Sequence, residues 1–505
     1  MLTNDPKNRF SRLSLLVGVA GIAVGIVAGF VVGIQPFLLF LAVVAVAAVV
    51  FFFTNFEVAV LGLLILRSSL DVFSSLQLPA AFAIGVDALT LLYVIVMLLT
   101  GQKVHTDGFG WFFAGWVMLQ GLWVILLPLG ALGLDASVLP DSIREWVRLF
   151  SWLMVYLLVM QLKDRVPPKQ IVYALFWALL LPITLAVLQM LVPSILPPML
   201  APSGAGFSGG APSEGISRIR GTLGHPNTFV TFILMFMGLT YWRFTQSKQC
   251  LPWILLLALL AFFYVSTKSL FGLMMLGTFI VVLIAPRLSL PSLIGGIFLF
   301  AVVIGLFGST EFGQERLGSI GQTPLGNPDI DIWRAILLSA GDGNSFNWRI
   351  MQWTYLLGQW QLHPILGYGL GISAYVSTNN LYPHNDYVRA LVEGGLVGFI
   401  IFLLFFGVQI VRLTQIYKNA SSKTGQRELC LVLLALLLAL PVGMITENIW
   451  SHTTFFFYWW TLFGLAGWDW NDKQIEENSR LAELPLLSSR PFTKLLDGSM
   501  NQEEN

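Results

Sequence analysis

The stretch HNDYVRALVEGGLVG gathers His384, Asp386, Arg389 and Glu393 within ten residues, directly before the apolar run FIIFLLFFGVQIV. On a helix starting near Asn385, Asp386, Arg389 and Glu393 fall at i, i+3 and i+7. They form one polar stripe in which Arg389 can pair with either carboxylate. A charged side chain at mid-membrane costs roughly 2.5–3.5 kcal/mol on insertion scales, so the stripe should face a bundle interior or a water-filled cavity. Gly394 and Gly398 make a G-x-x-x-G step that lets a neighbouring backbone approach, with Gly395 between them. More cations stand in SRIRGTLGHPN (Arg218, Arg220), STKS (Lys268) and NWRIMQW (Arg349). If these meet, they call for an anion. Phosphate or pyrophosphate suits the planar arginine fork. Anionic lipid headgroups, or salt bridges to Glu214, Glu311 or Glu315, would satisfy the same charges.

The elements that position these residues are membrane helices. The chain of 505 residues is 56% hydrophobic and 11% charged, with mean hydropathy +0.77, which excludes an ordinary soluble globule. Its apolar runs reach the roughly 20 residues needed to cross a bilayer and lack the alternation of a β-barrel. An all-α polytopic membrane protein of about 12–14 helices follows. Spans are expected at 13–33, 36–54, 56–70, 82–100, 109–132, 146–162, 170–192, 226–244, 251–266, 269–285, 291–308, 386–412, 428–446 and 454–470. Residues 1–308 form an N-terminal bundle, 309–383 a large outer loop, 384–470 the C-terminal helices and 471–505 a disordered cytoplasmic tail. The net charge of +1 gives no reason to expect nucleic acid as a partner. Cys250 and Cys430 suggest neither a metal site nor a disulfide.

With both termini inside, most Lys and Arg fall on cytoplasmic segments, as the positive-inside rule requires. Arg218, Arg220, Lys268, Arg349 and Arg389 break the rule on the outer side, in company with Arg67, Arg144, Arg148, Arg316 and Arg334. Within the large loop, Trp353, Leu356, Leu357 and Trp360 recur at helical spacing before Pro364. They read as an amphipathic helix at the outer membrane boundary. Asp329 and Asp331 form an isolated D-x-D, and no metal or other cofactor is expected. Asp87 is the best candidate for a charge at the bilayer midplane. His225, His363 and His452 read as loop or interface histidines.

Three segments, in order and in consistent topology, resemble the O-antigen ligase family, which shares a superfamily with O-antigen polymerases. His384-Asn385, nine residues, then Gly395-Leu396-Val397-Gly398 resembles the family's H-[NSQ]-x9-G-x-x-[GTY] motif. RGTLGHPN is similar to its arginine-glycine-asparagine segment. WRIMQW followed by HPILGYGLG is similar to a loop arginine upstream of P-x-x-G-x-G (Pro364, Gly367, Gly369). The resemblance covers about residues 200–410.

It implies a GT-C-like, metal-independent glycosyltransferase of the bacterial inner membrane. Such an enzyme takes a glycan from a polyprenyl (undecaprenyl) pyrophosphate carrier at the periplasmic face. The acceptor is a hydroxyl, on lipid A–core or on another glycan. The family histidine maps to His384 as general base, and its arginines map to Arg220 and Arg349 as pyrophosphate binders. Arg218, Arg389, Lys268 and Asn385 are further candidates for the substrate. Asp386, Glu393, Gly394, Gly395 and Gly398 are expected to support them. Lys268 stands where the superfamily often has arginine, and lysine offers a point charge rather than a fork. The competing expectation is a transporter of bicarbonate or another small anion, as proposed for some superfamily members. That should place paired charges in broken helices at the midplane.

Overall fold

The structure is a computed structural model. It describes residues 36–125, 136–203, 218–287, 289–311, 345–377, 380–421 and 425–470, with scattered positions between 313 and 338. Helix 13–33, the tail 471–505, Glu214, Glu315 and Arg316 lie outside these residues. The described part is helical. Its one isolated β-bridge pairs Ser203 with Arg218.

The helices are α1 (Pro36–Thr54), α2 (Phe56–Leu66), α3 (Leu78–Leu99), α4 (Gly108–Ile125), α5 (Leu139–Met160), α6 (Pro168–Leu191), α7 (Pro226–Gln246), α8 (Leu251–Ser266), α9 (Leu270–Ile284), α10 (Leu290–Gly308), α11 (Ser345–Trp360), α12 (Asp386–Asn419), α13 (Gln426–Gly443) and α14 (Thr453–Ala466). Every span expected within the described residues is a helix. By length and composition, however, only six of them can cross a membrane alone, or seven if a bent pair counts as one. That pair is α1 and α2, bent by 118°. The third expected span is thus the second arm of a bent pair. Asn55, at the break, has φ −129° and ψ 53° and does not continue the helix.

Two helices are apolar all round and therefore interior. Thr454 to Ala466 of α14 are all buried, as is most of α7. Aromatic rings fill the space between α14 and its neighbours: Trp460 lies 4.3 Å from Phe113 of α4, and Phe456 lies 4.2 Å from Trp152 of α5. Asp87, inside α3, is buried and accepts the Ser151 hydroxyl at 2.5 Å.

The amphipathic helix expected at the membrane boundary is α11. Its apolar stripe packs on protein. Leu356 joins Val138, Tyr368, Ile372, Val388 and Val392 in one cluster, with Trp353, Leu357 and Trp360 against it. The loop thus rests on the start of α12.

That start is not a continuous helix. Gly395 has φ 61° and ψ −163°, which breaks α12 nine residues after it begins. The run Pro364–Gly369 docks into the break through four backbone hydrogen bonds. Tyr368 and Gly369 donate to the carbonyls of Val392 and Glu393, at 2.8 and 2.9 Å. Leu396 and Val397 donate to those of Pro364 and Ile365, at 2.8 and 3.1 Å. The glycines are therefore a backbone clasp between loop and half-helix. The close approach is at Gly395. The expected G-x-x-x-G face instead meets the Trp123 indole, about 4 Å from a Cβ placed on Gly394 or Gly398.

Candidate functional site

Residues at or just before the starts of four helices reach the carboxylate of Glu447, directly or through Asn227. α7 contributes Asn227. α9 follows Lys268 and Ser269. α12 follows His384 and Asn385. α14 follows His452. Helix N-termini carry unpaired N–H groups and the positive end of the macrodipole, so this end favours negative charge.

Glu447 is 4% exposed. Its Oε2 accepts the Asn227 amide at 2.5 Å and stands 3.9 Å from Arg349 Nη2. Its Oε1 lies 3.3 Å from His384 Nδ1, an ion-pair contact whose angle is too poor for a full hydrogen bond. Burial alone would raise the Glu447 carboxyl; the contact with His384, together with His452 and Arg349, holds it down at about 2. Glu447 is therefore ionised. The His384 ring is partly exposed, with the Trp348 ring edge-on at 6.0 Å.

The other cations reach this carboxylate through Asn227. Its Oδ1 accepts Arg218 Nη2 at 2.8 Å, while Arg218 Nε donates to the Thr267 carbonyl at 2.9 Å. Lys268 follows Thr267 in a tight turn with φ 53°. Partial burial pulls its ammonium below the usual lysine value, against the pull of Glu311. Arg218, Lys268, Arg349 and His384 thus share one locus.

Arg220 does not point there. Its Nε, Nη1 and Nη2 donate to the carbonyls of Ala201, Gly224 and Met199, at 3.0, 3.0 and 2.9 Å. That uses three of the five donors of a guanidinium and ties the loop to the segment before α7. Gln189 of α6 supports the same turn by accepting from the N–H groups of Arg220 and Gly221, each at 3.0 Å.

The stripe on α12 does not face the solvent side of the site either. Arg389 is 2% exposed. It donates to Glu393 at 2.9 Å, Glu145 at 2.8 Å, Asn448 at 3.2 Å and Ser451 at 3.0 Å, with the Tyr382 ring 4.1 Å from its guanidinium. Asp386 accepts the Trp450 N–H at 2.9 Å, and its own N–H donates to the Met444 carbonyl at 3.0 Å. Together they grip the link 444–452 that carries Glu447. Glu393 also accepts the Ser373 hydroxyl at 2.5 Å, joining the large loop to this network. Asn385 caps α12, accepting the N–H groups of Tyr387 and Val388 at 3.0 Å each. Behind the stripe lies a partly enclosed cleft walled by Trp116, Trp123, Phe402 and Trp450.

Sequence reasoning missed Glu447 and treated His452 as an ordinary loop histidine. His452 is buried, with Nδ1 3.0 Å from the Thr231 hydroxyl. The available signal was a carboxylate and a histidine in the nine-residue link MITENIWSH between two apolar helices. Ionisable groups in such surroundings are functional candidates.

Comparison with known proteins bears on the same region. Residues 229–403 match the O-antigen ligase family model. Over 132 residues the chain is 26% identical to a Rickettsia felis protein named "Putative polysaccharide ligase". That stretch is 23% of this chain and 29% of the relative, so the match spans less than a third of the relative's length. Residues 229–403 of this polytopic α-helical membrane protein, which carry Lys268, Arg349, His384 and the clasped glycines, are thus similar to an O-antigen ligase domain.

Proposed function

We propose that the chain transfers a glycan from a polyprenyl pyrophosphate carrier to an acceptor hydroxyl at the outer face of the bacterial inner membrane, with both termini cytoplasmic. The observation that carries this reading is that His384 and Arg349 lie against one buried carboxylate, in a cluster shared with Arg218 and Lys268. A base and a set of fixed cations at a ring of helix N-termini suit attack by a sugar hydroxyl on a carbon that bears a pyrophosphate.

In this mechanism the Glu447 contact keeps a proton on Nδ1 and leaves the lone pair of Nε2 free. His384 Nε2 removes the hydroxyl proton as the acceptor oxygen bonds to the anomeric carbon. The carbon–oxygen bond to pyrophosphate breaks, and the electron pair leaves with the carrier. A positioned base is worth typically 10²–10⁴ in rate. Arg349, Arg218 and Lys268 stabilise the negative charge growing on the pyrophosphate, so the reaction needs no metal and should withstand EDTA. Arg220, Arg389, Asp386 and Asn385 shape the site instead of touching the donor.

The test is transfer from a purified polyprenyl-pyrophosphate glycan in proteoliposomes. His384→Ala is expected to lose activity by two or more orders of magnitude with an unchanged melting temperature. Full activity in that variant would remove His384 as the base. Supplying the donor with and without a lipid A–core acceptor separates the ligase, which makes one addition, from the polymerase, which makes a ladder.

A further inference from the structure

Glu447 lies outside the family segment 229–403, yet it is the group on which the site converges. Its bonds are unequal. The Asn227 contact is short and buried, and the link 444–452 is pinned by Asp386 and Arg389, so the carboxylate stays in place. The Arg349 contact is stretched to 3.9 Å, and that side chain keeps 23% of its surface exposed. A dianionic pyrophosphate offers a guanidinium more charge and a better matched fork than one distant carboxylate oxygen.

We propose that Glu447 is a positioning residue that links donor binding to activation of the base. Before the donor binds, its charge is divided between Arg349 and His384. When the pyrophosphate engages Arg349, that charge falls on His384 Nδ1–H, with the Asn227 amide still holding the carboxylate in place. Nε2 is then held as the proton acceptor, and the imidazolium formed when it takes the acceptor's hydroxyl proton is stabilised. The acceptor oxygen replaces pyrophosphate on the sugar, the pyrophosphate leaves with the bonding pair, and the Nδ1 proton stays between His384 and Glu447. The order of events guards against activating the acceptor when no donor is present. This inference rests on the glycan-transfer reading above.

The charged and titratable groups facing Glu447 are His384, Arg349 from α11, His452 before α14 and His225 before α7, with Asp386 of α12 behind. Replacing Glu447 with glutamine keeps its shape and removes its charge. The Glu447→Gln enzyme should lose about 10²-fold in kcat, while its affinity for polyprenyl pyrophosphate, measured without acceptor, is unchanged or tighter. The acid limb of kcat should move to lower pH, because the anion that favoured the protonated imidazole is gone. Glu447→Asp should recover part of the rate and return the limb toward its original position. Arg349→Ala should weaken binding of the same carrier, and its effect on kcat should be smaller in the Glu447→Gln background than alone.

A Glu447→Gln enzyme with the wild-type pH profile and donor affinity, whether its rate is normal or reduced, would overturn the linkage and leave a structural role. His384→Ala separates the two levels. If the wild-type enzyme transfers no glycan, the glycan-transfer reading fails, and if the His384→Ala variant keeps full transfer, His384 is not the base and the linkage fails with it. If that variant is inactive while Glu447→Gln behaves as wild type in pH and affinity, only the linkage fails.

Discussion

A Cβ atom on Gly367 would sit 2.5 Å from the amide nitrogen of Gly395, and one on Gly395 would sit 2.4 Å from the Ile365 carbonyl. The two glycines, one in the large loop and one in the break of α12, hold each other's backbone at contact. Both have positive φ, 69° and 61°. Gly367→Ala and Gly395→Ala should therefore each lower stability by more than the roughly 1–2 kcal/mol of a left-handed non-glycine residue, and transfer by tenfold or more. Gly398→Ala meets only Trp123, at 3.8 Å, and should be tolerated. Thermal unfolding in detergent, with transfer rates beside it, distinguishes them. Equal damage at all three positions would contradict the clasp.

The two arginines just before α7 should behave oppositely. Arg220 is bonded to three backbone carbonyls, so Arg220→Ala should lower the melting temperature by several degrees, with activity falling because the segment before α7 loosens. Arg218→Ala should raise the donor KM at nearly constant melting temperature. Parallel melting curves and donor titrations check both.

Arg389 is a scaffold residue by geometry. Its removal leaves Glu145 and Glu393 buried without their shared partner, and breaking a buried ion pair costs roughly 3–5 kcal/mol. Arg389→Met should fail to accumulate as folded protein. Arg389→Lys should rescue it poorly, because one ammonium cannot span Glu145, Glu393, Asn448 and Ser451. Yield after size-exclusion chromatography is the measurement. A well-folded Arg389→Met variant that had lost only donor affinity would instead return Arg389 to the substrate.

Acid should loosen this end of the bundle. Burial, against the pull of Glu447, lowers His452 from 6.5 to about 4. Between those values the unfolded chain binds a proton that the folded chain does not. Stability is then full above about pH 6.5 and falls as pH drops towards 4, by up to about 1.4 kcal/mol per pH unit for this group. His452→Gln should flatten that slope in melting temperatures recorded from pH 7 to 4. An unchanged slope would mean that His452 takes up its proton alike in both states.

Much of this was legible in the sequence because membrane helices announce themselves by composition. Apolar runs gave the spans, and cations that defy the positive-inside rule gave Arg218, Lys268 and Arg349. Two properties were hidden. The sequence cannot show that Arg218 bonds Asn227 while Arg220, two residues on, is taken up by backbone carbonyls, so the two looked equivalent. Nor does G-x-x-x-G spacing reveal that Gly395 abandons helical geometry, since its positive φ follows from the loop that docks there. Glu447 escaped notice because its importance comes from four distant helix starts meeting, a tertiary fact with no local pattern.

The placement of Glu447 beyond residue 403 also bears on modularity. Residues 229–403 grafted into another membrane scaffold would bring His384, Lys268, Arg349 and the clasp. They would leave behind the counter-ion, together with Asn227 and Arg218, which precede the segment. The heritable unit of this site is therefore larger than its recognisable one, and chimeras intended to swap acceptors should be cut outside residues 218 and 452.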